Sequence, residues 1–437
     1  MKTIFITSCH PLISRNILST GLLNMISKAN YKIVLVVPIG KVDTFQKNFA
    51  KENVLIRGVE IKSKKREIFM RYLSLASLNT NSLNIKRKTE MKGSGSFTKY
   101  FLSNRLAHGL IRTFEKLSYK DKLFEELFKE FNPSIVFSTD IQNEVDVAML
   151  IEAKRRKIRT VSMVRSWDNL TSKGLIRVIP DKLLVWNKIV KEEAIKIHGI
   201  KESIITMVGI PHYDLYKKYD YSKKEEFYKK IGADLNKKIV TVIPIGDRYL
   251  KENTVDRDIV HYLDKNLPEN FEILVRMPPG DYVRELEDKI NSFGRKILYD
   301  RAQSTAKNIK LTEMIKDDDE HFAKIVYFSN LVVSGPSTAV IDTAYINRPV
   351  ILFGFDGYQK RKYLESIVRY YDYDNFQPIL KSGGAPLAKS VDEFGKILNN
   401  YLNDPLQDKE NRLKLASAEA EFMDGKNTDR LFKALSL

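Results

Sequence analysis

Small polar residues and one aspartate follow an apolar run in the C-terminal third of the sequence, in the stretch NLVVSGPSTAVID. Gly335 permits an unusual backbone angle, and Ser337 and Thr338 stand where a helix would begin. Backbone N–H groups and the positive dipole at a helix start attract phosphate oxygens, which the two hydroxyls could also bind. Asp342, one turn later, could accept hydrogen bonds from the sugar of a nucleotide. The pattern predicts a nucleotide-diphosphate site, although an ordinary Ser/Thr cap on an amphipathic helix would look the same.

Two titratable residues follow apolar runs in the first half. His10 stands in TSCHPLISRN after the first run, and Asp140 ends SIVFSTD. Ligands of open parallel sheets bind beyond the carboxyl ends of the strands. Because an imidazole titrates near neutral pH, His10 could be a general base that deprotonates an acceptor hydroxyl. It could instead cap the next helix, and Asp140 is an equal candidate for the base.

The loop RSWDNLTSKG also follows an apolar run and carries both charged and aromatic residues. In a functional interpretation, Asp168 is an acid, a base or an acceptor contact, and Lys173 contacts a phosphate. Trp167 and Asn169 would then line the acceptor site. In a structural interpretation, Trp167 belongs to the core, the polar residues form a turn, and Gly174 has a positive φ.

Two arginines in the second half could contact a diphosphate. Arg248 follows Gly246 in PIGDRY, and Arg276 lies in VRMPPG. The acidic run KDDDEH precedes a helical segment, where carboxylates favour the dipole, and no His, Cys and Asp residues have metal-ligand spacing. We therefore expect no metal and no cofactor other than a nucleotide-activated substrate. Phosphate-loop, dinucleotide-binding, nucleophile-elbow, zinc-finger and RNA-recognition signatures are also missing from the sequence.

Composition indicates a globular protein with an anionic partner. The 437 residues are 43% hydrophobic and carry a net charge of +18, which suits a nucleic acid, an anionic membrane face or phosphorylated substrates. A proteome rich in lysine would give the same excess. The single Cys9 allows no internal disulfide and fits a reducing compartment. No apolar run approaches the length of a spanning helix, so we expect a cytoplasmic protein, with peripheral membrane attachment as a further option.

Short apolar runs alternate with helical patterns along most of the chain, which is typical of doubly wound α/β sheets. We predict two Rossmann-like domains facing a cleft, with residues 1–218 forming the first and 219–415 the second. Residues 416–437 would form a C-terminal helix that packs back across both. The polar stretch 212–238 would be the linker. A basic insertion at about 62–118, rich in Phe, Tyr and Leu, would lie outside the core and could bind an anionic bilayer, unless its aromatics are buried and its charges merely solvated.

Several of these stretches resemble motifs of one superfamily. SGPSTAVID followed by NRPVILF (residues 347–353) resembles the donor motif of GT-B glycosyltransferases and their relatives, the non-hydrolysing UDP-N-acetylglucosamine 2-epimerases and the CDP-glycerol glycerophosphotransferases. VRMPPGD (residues 275–281) resembles an Arg-Pro-His-Pro strand end, but Pro278 and Pro279 replace the histidine. WDNLTSKG, VGIPHYD and DGKNTDR resemble segments of bacterial surface-polysaccharide transferases with this architecture.

The resemblance implies a metal-independent glycosyltransferase that moves a sugar from a UDP- or CDP-linked donor to a surface-polysaccharide or lipid-linked acceptor. The second domain would bind the donor, and His10, Asp140 and Asp168 would lie near the acceptor. A CDP-polyol phosphotransferase and a nucleotide-sugar epimerase have the same fold and remain alternatives. A nucleic-acid-binding protein is a third, suggested only by the charge, and we do not expect a nucleic-acid partner.

Overall fold

The computed structural model describes residues 1–61, 64–91, 98–250, 252–279, 281–302, 313–314 and 316–437. The GSGS stretch at residues 93–96 and Phe97 of the predicted insertion lie outside these residues. The chain divides into two compact units. Unit 1 comprises Met1–Lys217 with Glu421–Leu437, and unit 2 comprises Lys218–Ala420. None of the described helices is both long and apolar enough to cross a bilayer.

Unit 1 contains a seven-stranded parallel sheet in the order β3-β2-β1-β4-β5-β6-β7. Its strands are runs rich in Val, Ile and Leu, because a parallel strand covered by helices is buried on both faces. The strands are β1 (Lys2–Thr7), β2 (Tyr31–Pro38), β3 (Val54–Val59), β4 (Ile135–Ser138), β5 (Arg159–Met163), β6 (Lys182–Val185) and β7 (Ile205–Met207).

Helices cover both faces of this sheet, and the core lies between them and the strands, with Phe5, Val136 and Leu183 fully buried. The helices are α1 (Pro11–Asn16), α2 (Leu22–Lys28), α3 (Val42–Phe49), α4 (Lys65–Ala76), α5 (Asn81–Thr89), α6 (Lys99–Leu102), α7 (Arg105–Ser118), α8 (Glu125–Phe131), α9 (Glu144–Arg155), α10 (Asn169–Ser172), α11 (Lys188–Lys196) and α12 (Tyr213–Tyr216).

The predicted insertion is packed into unit 1, contrary to our expectation that it would lie outside the core. Leu83 and Ile111 are buried in one apolar cluster with Leu175. Arg87 on α5 is fully buried and donates hydrogen bonds to the carbonyls of Leu75 and Leu78, both at 2.6 Å. Arg87 therefore has a structural role, because a guanidinium can satisfy several buried carbonyl groups at once.

Unit 2 contains a six-stranded parallel sheet in the order β10-β9-β8-β11-β12-β13. Its core includes Val240, Ile273, Val333 and Ile351, all fully buried. The strands are β8 (Lys238–Ile243), β9 (Phe271–Met277), β10 (Ile297–Arg301), β11 (Leu331–Ser334), β12 (Val350–Phe353) and β13 (Leu387–Ala388).

In unit 2, the stretch that the sequence predicted to be a linker contains a helix, in which Phe227 and Tyr228 are buried. The segment 281–294 contains a short helix at Arg284–Glu287 and a 3-10 turn at Ile290–Ser292. The helices are α13 (Lys224–Ile231), α14 (Val255–Asn266), α15 (Arg284–Glu287), α16 (Lys316–Phe328), α17 (Ala339–Tyr345), α18 (Val368–Tyr371), α19 (Phe376–Ser382), α20 (Val391–Asn403) and α21 (Lys409–Ala420).

The last helix of the chain, α22 (Asn427–Leu435), belongs to unit 1. The carboxylate of Asp214 accepts hydrogen bonds from the backbone N–H groups of Asn427 at 2.9 Å and Thr428 at 2.7 Å, which would otherwise lack partners at the helix start. Both chain ends therefore lie in the same unit.

Candidate functional site

Most of the predicted site residues lie near one position in each sheet, and Arg276 is the exception. The strand order of unit 1 reverses between β1 and β4, and the order of unit 2 reverses between β8 and β11. His10 and Asp140 follow β1 and β4, whereas Gly246 and Gly335 follow β8 and β11. Because ligands of open parallel sheets bind in the crevice where the strand order reverses, each unit has a candidate site at its own switch point.

Hydrogen bonds hold the ends of β1 and β4 together beneath the first site. Thr139 donates from its backbone N–H to the Thr7 hydroxyl at 3.0 Å and from its own hydroxyl to the Thr7 carbonyl at 2.8 Å. Asp146 on α9 accepts from the hydroxyls of Thr7 and Ser138 and from the backbone N–H of Asp140. Burial and the neighbouring Asp140 raise the pKa of Asp146 to about 7. This network fixes the loop that carries Asp140.

His10 has a structural role as well as a place in the site. Its Nδ1 accepts a hydrogen bond from the backbone N–H of Leu12 at 3.2 Å, so it caps α1. The guanidinium of Arg165 lies beside the ring, with Nη1 at 3.0 Å from Nε2 and 3.3 Å from Nδ1. Burial, together with the charges of Arg165, Lys173 and Lys41, lowers the pKa of His10 to about 3. The imidazole is therefore neutral at neutral pH.

Arg165 connects the predicted residues and was missed in the sequence. Its Nε donates to Asp140 at 2.6 Å, and both side chains are at least nine-tenths buried. Asn169 lies within 3.5 Å of both Arg165 and Asp140. The signal that could have revealed Arg165 is its position directly beyond the end of β5, which is the rule that singled out His10 and Asp140.

Asp168 and Lys173 complete this side of the site. The Asp168 carboxylate accepts a hydrogen bond from the Ser172 hydroxyl at 3.0 Å and lies 3.9 Å from the Lys173 ammonium. Burial opposes ionisation of Asp168, but Lys173 and Arg165 hold its pKa below the ordinary value. Trp167 is buried, and Gly174 has a positive φ of 94° with no room for a Cβ beside the Ser74 hydroxyl. The buried Trp167 and the positive φ of Gly174 are the features that the structural interpretation of this loop predicted. The loop therefore has a structural role as well as charged residues in the site.

Two further lysines contribute charge to this site. Lys41 follows β2 and is 3% exposed, and its charge acts on His10. Lys86 on α5 interacts electrostatically with Lys173 and Asp168, and its pKa is lowered, chiefly by burial. We call these residues the cationic cluster: His10, Lys41, Lys86, Asp140, Arg165, Asp168 and Lys173. It holds four cationic side chains and two carboxylates around a neutral imidazole, so it can accept an anion.

The site of unit 2 begins with a turn after β8. Gly246 has a φ of +89°, and a Cβ there would lie 2.4 Å from Oδ2 of Asp281, so only glycine fits. Asp256 on α14 accepts from the backbone N–H groups of Ile245 and Gly246 and holds the turn. Arg248 is exposed directly after it. An exposed guanidinium at the switch point is suited to contact with a phosphate.

The turn after β11 needs glycine for a reason other than the predicted one. The φ of Gly335 is not positive, but a Cβ there would lie 2.4 Å from Cγ1 of Ile245. Ser337 accepts a hydrogen bond from the backbone N–H of Ala339 at 3.3 Å, whereas the side chain of Thr338, which occupies the N-cap position of α17, makes no capping hydrogen bond. Thr338 is exposed at the helix start, whereas Asp342 is buried within α17.

Arg276 lies apart from these exposed residues in a buried ionic network. Its guanidinium pairs with Asp318 on α16 at 2.8 Å and with Asp300 on β10. Asp300 also contacts Nε2 of His321 at 2.9 Å. A diphosphate would therefore have to compete with two carboxylates for contact with Arg276. Such a contact is also unfavourable because separating a buried ion pair costs free energy. The acidic run at the start of α16 thus supplies a partner for an arginine as well as a favourable charge for the helix dipole.

No group of three or more His, Cys, Asp or Glu side chains within the described ranges is arranged to hold a metal ion. The chemistry that the two switch points can support is the binding of anions, the positioning of a hydroxyl beside a neutral imidazole or a carboxylate, and the hydrogen bonding of a nucleotide. That combination suits transfer of a group from an anionic activated donor.

The two parallel sheets, each surrounded by helices, form the α/β architecture of the GT-B class, as the sequence predicted. Solved structures with this fold include the UDP-GlcNAc 2-epimerase from Neisseria meningitidis bound to UDP-GlcNAc, with a TM-score of 0.59 at 11% identity over 100% of both chains. The UDP-GlcNAc 2-epimerase from Methanocaldococcus jannaschii gives 0.56 at 15% identity over 100% of this chain and 99% of that chain. The wall teichoic acid polymerase TagF gives 0.53 at 12% identity over 100% and 88%. At these identities the likeness shows the fold alone.

The family is shown by the sequence itself. The chain belongs to the CDP-glycerol:poly(glycerophosphate) glycerophosphotransferase family, whose model matches residues 160–437. It is therefore a transferase that acts on a nucleotide-linked substrate, and the resemblance noted in the sequence is confirmed. No curated protein sequence matches the chain.

Proposed function

We propose that the protein transfers a polyol phosphate from a CDP-linked donor to a hydroxyl of a surface-polysaccharide or lipid-linked acceptor. The observation that carries this proposal is the family match, which includes all of unit 2 and the C-terminal strands of unit 1. The acceptor hydroxyl would attack the phosphorus that bears the polyol. A new P–O bond forms, the bond to the bridging oxygen breaks, CMP leaves, and the hydroxyl proton passes to a base.

Unit 2 is the proposed donor domain. Arg248 would contact the diphosphate, supported by its exposure at the switch point beside Gly246. Ser337 and Thr338 would add hydroxyl and backbone donors after Gly335, and Asp342 would accept from the ribose. Arg276 remains a predicted contact, although its two carboxylate partners argue for a supporting role.

Unit 1 is the proposed acceptor domain. His10, Asp140 and Asp168 are the candidate bases, and Trp167, Asn169 and Lys173 the candidate binding residues. Burial is the largest cause of the lowered pKa of His10, and the charges of Arg165 and Lys173 add to it. An acceptor phosphate beside these two cations would offset their charges and raise the pKa of His10 part of the way back, because a nearby anion favours the imidazolium. The cationic cluster supports this proposal, because it allows acceptor binding to activate the base.

Sugar transfer from a UDP- or CDP-linked donor is the second candidate. It is the activity that the resemblance described under Sequence analysis implies. The observation that favours it is the pair Pro278 and Pro279, which stands where the resembling strand end of the phosphotransferases has a histidine. A sugar transferase breaks the bond between the sugar and the diphosphate, so its nucleotide product is a diphosphate. Metal independence is part of either proposal.

The released nucleotide separates these candidates. The purified protein would be incubated with CDP-glycerol or with UDP-sugars, each with a lipid-linked acceptor, in the presence and absence of EDTA. We expect acceptor-dependent CMP from CDP-glycerol and no effect of EDTA. Acceptor-dependent UDP would establish sugar transfer instead. Epimerisation without stoichiometric release of either nucleotide would contradict both proposals.

A further inference from the structure

Side chains from other parts of unit 1 hold the segment that carries Asp168 and Lys173. This segment, residues 167–176, contains only one turn of helix, α10, and we call it the site loop. A single turn provides few hydrogen bonds for its own carbonyl groups, so the others need partners elsewhere. Five carbonyl groups accept hydrogen bonds from side chains outside the loop: those of Leu170, Thr171, Gly174, Leu175 and Ile176.

Two of these five donors are hydroxyl groups of the basic insertion. Thr80, directly before α5, donates to the Thr171 carbonyl at 2.6 Å. Ser74 on α4 donates to the Leu175 carbonyl at 3.2 Å, and the backbone N–H of Leu175 donates to the Ser74 carbonyl at 3.1 Å. Both hydroxyl-bearing side chains are buried. Because a buried carbonyl that loses its donor costs free energy, these bonds hold the loop against the insertion.

Arg112 on α7 is a third donor from the insertion. Its Nε donates to the Ile176 carbonyl at 3.0 Å, and its Nη2 donates to the His198 carbonyl at 2.6 Å. His198 contacts the loop at two points, since its Nε2 donates to the Leu170 carbonyl at 2.8 Å and its Nδ1 accepts from the Ile176 N–H at 3.1 Å. Arg112 therefore holds the loop both directly and through His198. We call Ser74, Thr80 and Arg112 the clamp.

Apolar packing brings the insertion and the site loop together. Leu175 is buried in one cluster with four side chains of the insertion: Met70, Leu78, Leu83 and Ile111. Gly174 precedes it, and a Cβ there would lie 2.4 Å from the Ser74 hydroxyl oxygen. The two segments therefore fit closely, and a shift of the insertion would move the loop.

The clamp fixes the spacing of charged groups that come from two distant parts of the sequence. Asp168 accepts from the Ser172 hydroxyl at 3.0 Å and lies 3.9 Å from the Lys173 ammonium, so its carboxylate depends on the shape of the loop. Lys86, whose charge acts on both Asp168 and Lys173, lies on α5 of the insertion itself. The site loop lies within residues 160–437, which the family model matches, and the insertion lies before them.

We propose that the basic insertion positions the acceptor site, and that Ser74, Thr80 and Arg112 are positioning residues for Asp168 and Lys173. They act through the carbonyl groups of the site loop, which they hold in the arrangement that transfer requires. The proposal rests on the proposed function for the roles of Asp168 and Lys173, whereas the clamp itself can be tested without any substrate.

Trp167 lies in the site loop and can report on it. Because the chain has only one other tryptophan, Trp186, a Trp186→Phe background isolates the signal. In that background Thr80→Val should shift the emission of the buried Trp167 to longer wavelength and increase its quenching by acrylamide, because the loop opens more readily. Thr113→Val, the same change at an exposed threonine on α7, is the matched control and should alter neither. Thr80→Ser keeps the hydroxyl and should restore both.

Kinetics test whether the clamp matters for transfer. In Thr80→Val we expect kcat/KM for the acceptor to fall by about tenfold to a hundredfold, since a displacement of about 1 Å can cost that much. The KM for the donor should change little, and Thr80→Ser should be nearly normal. Thr80 also caps α5 by accepting from the Leu83 N–H. Ser74→Ala changes no helix cap and should act in the same direction, so it decides the question alone if Thr80→Val does not fold.

Three results would overturn the proposal. The first is Trp167 emission and quenching that are the same in Thr80→Val, Ser74→Ala and Thr113→Val. The second is altered Trp167 fluorescence with unchanged acceptor kinetics, which would make the clamp a structural contact only. The third is a Thr80→Ser variant that behaves like Thr80→Val. A failed CMP-release assay would refute the proposed function, whereas the fluorescence needs no nucleotide and would still show whether the clamp holds the loop.

Discussion

His10 caps α1, and we propose that it is also the base that takes the acceptor proton; substitution can separate these two roles. Its Nδ1 caps α1, and its ring lies against Arg165 in the cationic cluster. An asparagine can accept the same capping hydrogen bond but cannot act as a base near neutral pH. His10→Asn should therefore keep the fold and lower the transfer rate by about 10²–10⁴-fold, with donor affinity little changed. Steady-state kinetics with the identified donor, alongside donor binding by calorimetry, would measure both quantities.

His10→Ala completes this test, because alanine loses both roles. It should lower stability as well as activity, with the lost cap costing about 1 kcal/mol. If His10→Asn turns over at nearly the normal rate, the proton must go to Asp140 or Asp168, and His10 is only a cap.

Asp342 tests the donor site in the same way. If its carboxylate accepts from the ribose, Asp342→Ala should abolish the rise in melting temperature caused by nucleotide, because the stabilisation depends on ligand affinity. The matched control is Asp392→Ala, at an exposed aspartate in the first turn of α20. Because Asp342 is buried in α17, the variant must first be shown to fold, by circular dichroism. Unchanged nucleotide affinity in a folded variant would remove Asp342 from the donor site.

At the scale of elements, α5 shows how a basic segment can stabilise a unit. Arg87 donates to the carbonyls of Leu75 and Leu78 and to the side chain of Asn84. Arg87→Met leaves two buried carbonyls without this partner, so we expect unit 1 to lose about 3 kcal/mol of stability. Lys88→Met, at the exposed neighbouring position, should have almost no effect.

Urea unfolding followed by tryptophan fluorescence measures this loss. The chain has two tryptophans, and both Trp167 and Trp186 lie in unit 1, so the signal reports that unit alone. Equal midpoints for the Arg87 and Lys88 variants would show that the buried guanidinium contributes little.

The elements also show what the sequence could and could not predict. Twelve strands were visible as short apolar runs, because parallel strands are buried on both faces; β13, with two residues, is too short to leave a pattern. The polar site residues were predicted from their positions just beyond the carboxyl ends of these strands. The pairing of Arg276 with Asp318 was not, because the two are distant in sequence and only the packing of α16 brings them together. The sequence predicted that the basic insertion lies outside the core. The burial of Arg87 could not be predicted, because a pattern of charges does not show which carbonyl groups lie within reach of a side chain.

At the scale of the whole molecule, buried histidines should make the protein sensitive to acid. His198 is fully buried, contacts the Leu170 carbonyl through Nε2 and accepts from the backbone N–H of Ile176. Burial lowers its pKa to about 3, whereas the unfolded chain takes up the proton near 6.5. The unfolded state therefore binds more protons between those values, and stability falls as pH decreases from 6.5 towards 3. His10 adds to the same effect.

Unfolding of unit 1 in urea at several pH values would measure how steeply its free energy of unfolding depends on pH. His198→Gln removes one titrating group, so its stability should depend less steeply on pH over this range, whatever its stability at pH 7. His261→Gln is a suitable control, because His261 lies in unit 2. An unaltered slope in His198→Gln would show that this histidine is not the source of the acid sensitivity.

The chain leaves unit 1 after Lys217 and returns to it at Glu421, and Asp214 receives the start of α22. Synthesis on the ribosome proceeds from the amino end, so every residue of unit 2 is made before unit 1 has its last helix. A stop codon shortly before residue 427 would leave unit 2 whole and would damage only the unit whose synthesis began first.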